Sequence, residues 1–371
     1  MIFTVNCSDL LDGLRIVTRA LSARPAKQIL EGVLVEAIDD SVTLTCSDGT
    51  LTIEHIVTAS VQENGRTVLP GKLFTELISK LPGGEVTVQL KDGRSAFIRC
   101  QKSRSNMSCM DAVEYPEMAQ VENGYRLELP QKDLRDMIGR VVFAIATDES
   151  RQILTGCLLE LSAQETRLIA LDGFRLAMIR KDQAHELPEG KELLRYVIPG
   201  RVMNELGKIL PDLDEPCSMM MARNQVQIAF GSTKLSSVLL AGEYIDYRRI
   251  LPTSFRTTAD VDRANMQSAI DRASLMAREG KSNLVRMSFH EDAVAISSNA
   301  ETGDQLEDME ATLTGDPIDI AFNAKYITDV IRNVSDEQLH MCFNTSVSPC
   351  VIQKEEGGDY LYLILPVRVF Q

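Results

Sequence analysis

TVLPGKLFTELISKLP at residues 67–82 returns as YVIPGRVMNELGKILP at 196–211, and a more diverged version, IAFNAKYITDVIRNVS, occupies 320–335. In each, a short apolar run meets Pro-Gly or Asn-Ala and passes into helically spaced apolar residues, so each copy reads as strand into helix. A second element keeps step with the first: ILEGVLVEA at 29–37 and ILTGCLLEL at 153–161. Recurrence at a fixed period marks a copied unit. The interval of roughly 125 residues is too long for a solenoid repeat and matches a small domain. Turn residues at Asn123-Gly124 and Thr253-Ser254 give expected domains at 1–124, 125–253 and 254–371.

Each copy also opens with a strand and helix of its own. FTVNCSDLLDGLRIVTRAL has Leu10, Leu11, Leu14 and Val17 on one face, with Ser8 or Asp9 as the expected N-cap. Leu134, Met137, Ile138, Val141 and Val142 repeat the pattern in the second copy, and Met266, Ile270 and Ala273 in the third. Short strands with Asp-Gly turns follow, such as VTLTCSDG and TRLIALDG, and further strands (EVTVQL, QVQIAF, QLHMCF) follow the second helix. The fold class is therefore α+β: three repeated domains, each a doubled strand–helix–strands unit. Helices are expected at 8–20, 70–81, 130–143, 199–211, 262–279 and 323–333.

Composition excludes several classes. No stretch of the 371 residues approaches the roughly 20 apolar residues of a membrane span. MIFTVNCSDLLDG lacks the basic and apolar regions of a signal peptide, so a cytoplasmic location is expected. The eight cysteines are scattered with no CxxC pair and are expected to be reduced. The four histidines are far apart and no metal-ligand spacing occurs, so neither metal nor cofactor is expected.

The net charge of −14 disfavours nucleic acid as a partner, but its distribution points the other way. Over the six expected helices Lys and Arg outnumber Asp and Glu by 14 to 10, against 39 to 53 in the whole chain. Mildly basic helices in an acidic protein suit non-specific phosphate contact; solvated helix faces carry the same balance.

The chain resembles the bacterial sliding clamps, the beta subunits of DNA polymerase III, along its whole length. The residues that carry the likeness are the opening MIFTV, ARPAKQIL at 23–30, LDGFRLA at 171–177, EYIDYRRILP at 243–252 and the closing YLILPVR. The resemblance implies a non-catalytic processivity factor: a head-to-tail homodimeric ring with helices inside and antiparallel sheets outside. Duplex DNA would pass through the hole, held by contacts that read phosphate and ignore bases. The matching hole-facing candidates are Arg24, Lys72, Arg140, Arg151, Gln152 and Arg201. Where the family often has aromatic residues beside the Arg151-Gln152 pair, this chain has Ile153.

The resemblance also implies a partner-peptide cleft. Its matching positions are Leu154, Leu171, Gly173, Phe174, Arg175 and Leu176, then Ile245, Arg249, Ile250, Asn323 and Tyr326. Val347, Pro349, Leu363, Leu365, Pro366, Val367 and Arg368 complete it. Such an apolar set with a few basic heads suits a short peptide offering one or two large apolar side chains and a polar anchor. Leu154, Leu171, Leu176 and Ile250 fit an ordinary core equally well. Phe174 and Leu171 stand where relatives commonly carry more polar residues, which predicts a greasier cleft. The tail continues past Arg368, and Phe370 is placed to shadow the cleft.

The partners implied are the replicative polymerase catalytic subunit, a clamp loader, other clamp-binding repair and replication proteins, and a second copy of the chain. A separate ATP-driven loader is needed because no GxxxxGK[ST] loop is present. At the dimer contact an edge strand of the first domain meets the third. SRSNMSCM at 103–110 alternates with few charges, with Ser105 where an aromatic often stands and Met107 keeping the apolar role. Leu275 and Met276 match the other side. Two rival readings remain: an enzyme using the acidic run DLDEP at 212–216, and a DNA-independent scaffold using the same cleft.

Overall fold

The structure, a computed structural model, describes residues 1–280, 283–354 and 358–368. The chain divides into two compact units, Met1–Arg135 with Glu205–Leu239 and Asp136–Asn204 with Leu240–Gln371. In each unit, one long antiparallel sheet is built jointly by the second copy and one of its neighbours.

In the first unit the eight-stranded sheet joins Thr233–Val238 to Leu51–Thr58. Thr233 stands opposite His55 and Ser237 opposite Leu51, and His55 Nδ1 lies 2.8 Å from Thr233 Oγ1. In the second unit the nine-stranded sheet joins Arg175–Asp182 to Tyr360–Ile364, with Arg175 opposite Ile364 and Ile179 opposite Tyr360. Pairing across the repeat boundary leaves no exposed edge at the junctions. The smaller sheets are one of five strands, which ends on Ser103–Ser108, and one of four, which ends on Gly303–Glu310.

The repeated sequence elements are strand partners. Gly32–Ile38 pairs with Gly65–Pro70, placing Gly32 opposite Pro70; Gly156–Ser162 pairs with Leu193–Pro199, placing Gly156 opposite Pro199. A Cβ at Gly32 would fall 2.2 Å from Val68 Cγ1, and one at Gly156 would fall 2.7 Å from the Ile198 carbonyl oxygen. The glycines recur together because strand and helix entry approach too closely for a side chain.

Among the described residues there are six α-helices: α1 (Cys7–Val17), α2 (Gly71–Ser79), α3 (Gln131–Gly139), α4 (Gly200–Ile209), α5 (Arg263–Glu279) and α6 (Ala324–Asn333). They sit at the expected positions with shorter ends. α1 gives way to a 3₁₀ turn at Thr18–Ala20, and α3 stops at Gly139, the poorest helix former except proline. The N-cap of α1 is Asn6, not Ser8 or Asp9: Asn6 Oδ1 accepts the Ser8 backbone N–H at 2.9 Å and the Ser8 hydroxyl at 2.8 Å. The helix therefore begins one residue earlier, and Ser8 serves the cap as a donor. The apolar faces are buried as their spacing requires. Leu10, Leu14 and Val17 of α1 are fully enclosed, as are Met266, Ile270 and Ala273 of α5, each large side chain contributing about 2 kcal/mol. All eight cysteines are free thiols; Cys109 is half-buried and the rest are buried.

Candidate functional site

A cluster of apolar side chains stays exposed in the second unit. Phe174 is 56% exposed and Val347 56%, with Ile250 at 44% and Leu365 and Val367 at 37% each. Isolated exposed apolar residues are ordinary, but Phe174 and Leu365 are joined directly, and Val347 and Val367 line one cavity. The Phe174 ring stacks on Tyr326 at 5.7 Å between centroids, and the Leu365 N–H donates to the Phe174 carbonyl at 2.8 Å.

The turn that presents Phe174 is dictated locally. Asp172 Oδ1 accepts the N–H groups of Phe174 (2.9 Å) and Arg175 (3.1 Å), and Gly173 takes φ +93°, a conformation other residues resist. The turn projects Phe174 outward while Leu171 and Leu176 on either side point inward. Leu154, Leu171, Leu176 and Leu363 are buried in one core cluster with Tyr247, against which Ile245 packs. They are the floor beneath the groove and offer a partner almost no surface. Ile250, which the sequence allowed as core, lies on the surface instead.

Arg175 is a brace. Its side chain is almost fully buried, and each of its three nitrogens has a partner: Nε donates to Asp172 (3.1 Å), Nη1 to Asp329 of α6 (2.6 Å) and Nη2 to the Phe143 carbonyl (2.5 Å). The guanidinium also lies 4.7 Å from the Tyr326 ring centroid. Buried charge is tolerated when so fully paired. Arg175 thus fixes the Phe174 turn to α6 and is not available to a partner. Arg249 is an accessible basic head, exposed and paired with Asp246 at 3.0 Å. Asn323 is occupied too, capping α6 through the Lys325 N–H at 2.9 Å. Pro349 and Pro366 are half-buried, and Arg368 is exposed. Phe370 lies outside the described residues.

The segment carrying Ile245, Arg249 and Ile250 is held by a residue the sequence reading missed. Glu160, buried on the strand Gly156–Ser162, accepts the Tyr247 hydroxyl (2.8 Å), Arg195 Nε (2.9 Å) and Arg248 Nη2 (2.5 Å). Burial alone would raise its pKa, but bonds from Arg248, Tyr247 and Arg195 outweigh that and hold it below the usual carboxylate range. The only sequence signal was a Glu interrupting the apolar run CLLEL.

Models of the three DNA polymerase III beta subunit domains match the chain in order: N-terminal at residues 1–119, central at 128–246 and C-terminal at 248–368. The chain belongs to the DNA polymerase III beta subunit family. A Staphylococcus aureus protein named beta sliding clamp is 32% identical over the full length of both chains. The solved DNA polymerase sliding clamp from Bacillus subtilis is 31% identical with TM-score 0.94, and the DNA polymerase III beta subunit from Thermotoga maritima is 27% identical with TM-score 0.92; both comparisons cover each chain completely. The fold is that of three clamp domains, and this family is one of non-catalytic processivity factors.

The basic residues that the beta-subunit likeness assigned to DNA separate into two groups. Arg24, Lys72, Arg151, Gln152 and Arg201 are exposed. Lys72 lies on α2, Arg201 on α4, and Arg151 interrupts the 3₁₀ segment Glu149–Thr155 at φ −125° and ψ 77°. Arg140 is withdrawn from this set. Its side chain is only 11% exposed, paired with Asp359 at 3.1 Å and Asp136 at 3.4 Å and lying 5.1 Å from the Tyr360 ring centroid. Its charge is spent internally. The acidic run 212–216 is a surface loop in which Asp214 pairs with Lys132 at 2.6 Å.

Two sheet edges bear on the expected self-contact. Ser103–Ser108 ends the five-stranded sheet, with Arg104 exposed and Ser105 half-buried; Met107 is buried within its own domain and offers little apolar surface. Gly303–Glu310 ends the four-stranded sheet and carries Asp304, Glu307, Asp308 and Glu310. On it Leu306 is 66% exposed, and on the adjacent α5 Leu275 is 57% exposed while Met276 is half-buried. Arg272 of α5 pairs with Glu307, fixing helix to strand. The alternation GDQLEDME was the available sign of this strand.

Proposed function

We propose that the chain works as a head-to-tail homodimeric ring that encircles duplex DNA and carries the replicative polymerase on its apolar groove. The observation that carries this reading is the match to all three beta-subunit domains in order, joined to an exposed apolar groove on a braced floor. The three domains would be 1–124, 125–253 and 254–371, and a clamp loader and other DNA-processing proteins would share that groove in the cytoplasm. Among the described residues no helix is long and apolar enough to cross a membrane.

The charges of the two free edges support the ring. Arg104 with Lys102 on one edge complements Asp304, Asp308 and Glu310 on the other, and the exposed Leu275 and Leu306 supply apolar area beside it. Two copies related by a two-fold axis would use this contact twice and close. The exposed Arg24, Lys72, Arg151 and Arg201, with Gln152, would meet phosphate without reading bases. A ring leaves DNA only by opening, so a polymerase docked on it stays at high effective concentration at the primer end.

Sedimentation tests the assembly. The parent should run as a dimer at low micromolar concentration, and Leu275→Ala with Met276→Ala should shift it towards monomer. Arg104→Glu should weaken the dimer, and Asp308→Arg in the same chain should restore part of it. A monomeric parent, or indifference to all these changes, would sink the proposed contact.

A further inference from the structure

The tail Leu365–Arg368 runs from the groove to a second cavity. Its Val367 N–H donates to the Ala321 carbonyl at 2.7 Å, as Leu365 does to Phe174. Beyond Val367 opens a cavity of about 870 Å³ whose walls include Val347, Val367, Arg256, Arg286 and Arg368. The two valines belong to the exposed apolar set, so the cavity borders it.

The arginines are placed by the backbone. The Arg256 N–H donates to the Phe343 carbonyl (3.0 Å) and to Asn344 Oδ1 (3.1 Å). Arg286 stands opposite Ala321 in the sheet, the residue whose carbonyl holds the tail. Among the described residues none of the three guanidinium groups has a carboxylate partner at ion-pair distance. Asp316 and Asp319 also line the cavity, and the Asp319 carboxylate is engaged by the Ser288 hydroxyl. Unpaired arginines in a chain of net charge −14 favour an anion. Two exposed valines on the same wall favour a peptide over a free phosphate.

We propose that this cavity is a second subsite of the groove, taking an acidic side chain of a partner segment whose apolar residues occupy the groove. The inference rests on the groove being a peptide site. Fluorescence anisotropy with two labelled synthetic peptides tests it, each carrying a Leu-Phe pair, one flanked on both sides by Glu-Glu and the other by Gln-Gln. At low salt the acidic peptide should bind about tenfold more tightly, as for two or three added charge pairs, and Arg256→Gln with Arg286→Gln should abolish that preference without changing binding of the neutral peptide. Equal binding of both peptides to the parent would overturn the subsite and leave the groove standing. A preference that survives in the variant would overturn the assignment to these arginines, and millimolar inorganic phosphate that erases the preference in the parent would overturn the peptide carboxylate as the occupant in favour of a free anion. Binding of neither peptide would remove the groove itself, and this subsite with it.

Discussion

Replacing Glu160 by Ala should loosen one wall of the groove without touching it. The carboxylate gathers Tyr247, Arg195 and Arg248, and Tyr247 also accepts Arg167 Nη1 at 3.2 Å. Truncation removes the acceptor of the buried Tyr247 hydroxyl, which keeps the Arg167 bond but leaves its own proton unpaired, at a cost of about 1–3 kcal/mol. Arg195 and Arg248 are partly exposed and rehydrate, so each lost pair adds only about 0.5–1 kcal/mol. The sum, about 3 kcal/mol, should appear as a lower unfolding midpoint in circular dichroism. Because the 3₁₀ turn Tyr247–Ile250 carries Arg249 and Ile250, affinity for a Leu-Phe peptide should fall about fivefold, or about 1 kcal/mol. The same site gives a pH signature. The folded pKa of Glu160 lies below its unfolded value, so its contribution is full above the ordinary carboxylate range and is lost as pH falls through the folded value. The parent should lose groove affinity on acidification below about pH 4.5, and Glu160→Gln should flatten that loss. An alanine variant with parental stability and parental peptide affinity would refute the argument.

Other expectations follow from single side chains. Phe174→Ala removes an exposed ring that stacks on Tyr326, so peptide affinity should drop about tenfold, as at an interface hot spot, while the melting temperature stays put. Arg140→Ala should cost about 1 kcal/mol, because Asp359 is half-exposed and keeps Lys354 at 3.2 Å, measured by thermal unfolding, whereas Arg24→Ala with Arg151→Ala should leave stability alone and reduce the salt dependence of DNA retention. Gly156→Ala forces a Cβ to 2.7 Å from the Ile198 carbonyl and should destabilise by about 1–3 kcal/mol; an unchanged melting point would refute the close-approach explanation of the repeated glycines.

The repeat architecture was legible because the copied elements are physical partners. Gly32 with Pro70 and Gly156 with Pro199 face each other across two strands, so a constraint on one preserves the other. The groove was legible only as a set. Apolar character alone could not separate the floor (Leu154, Leu171, Leu176) from the wall (Phe174, Ile250), since a turn held by Asp172 decides which side each faces. Arg140 was assigned to DNA by the family resemblance, because a sequence position shows where a basic residue starts and not what it reaches. Its partner Asp359 lies 219 residues away. Arg175 likewise finds Asp329 on an element 154 residues further on, and Glu160 needs Arg195 and Arg248 from two other segments.

The central claim is topological, and one measurement addresses it directly. The labelled protein is loaded onto nicked circular plasmid by its clamp loader with ATP, the loader is removed in high salt, and the plasmid is then cut once. Protein that co-migrates with the circle through gel filtration and is released on linearisation is the predicted result. Protein that stays bound equally to circle and line, or that never survives high salt on the circle, would contradict a ring around DNA.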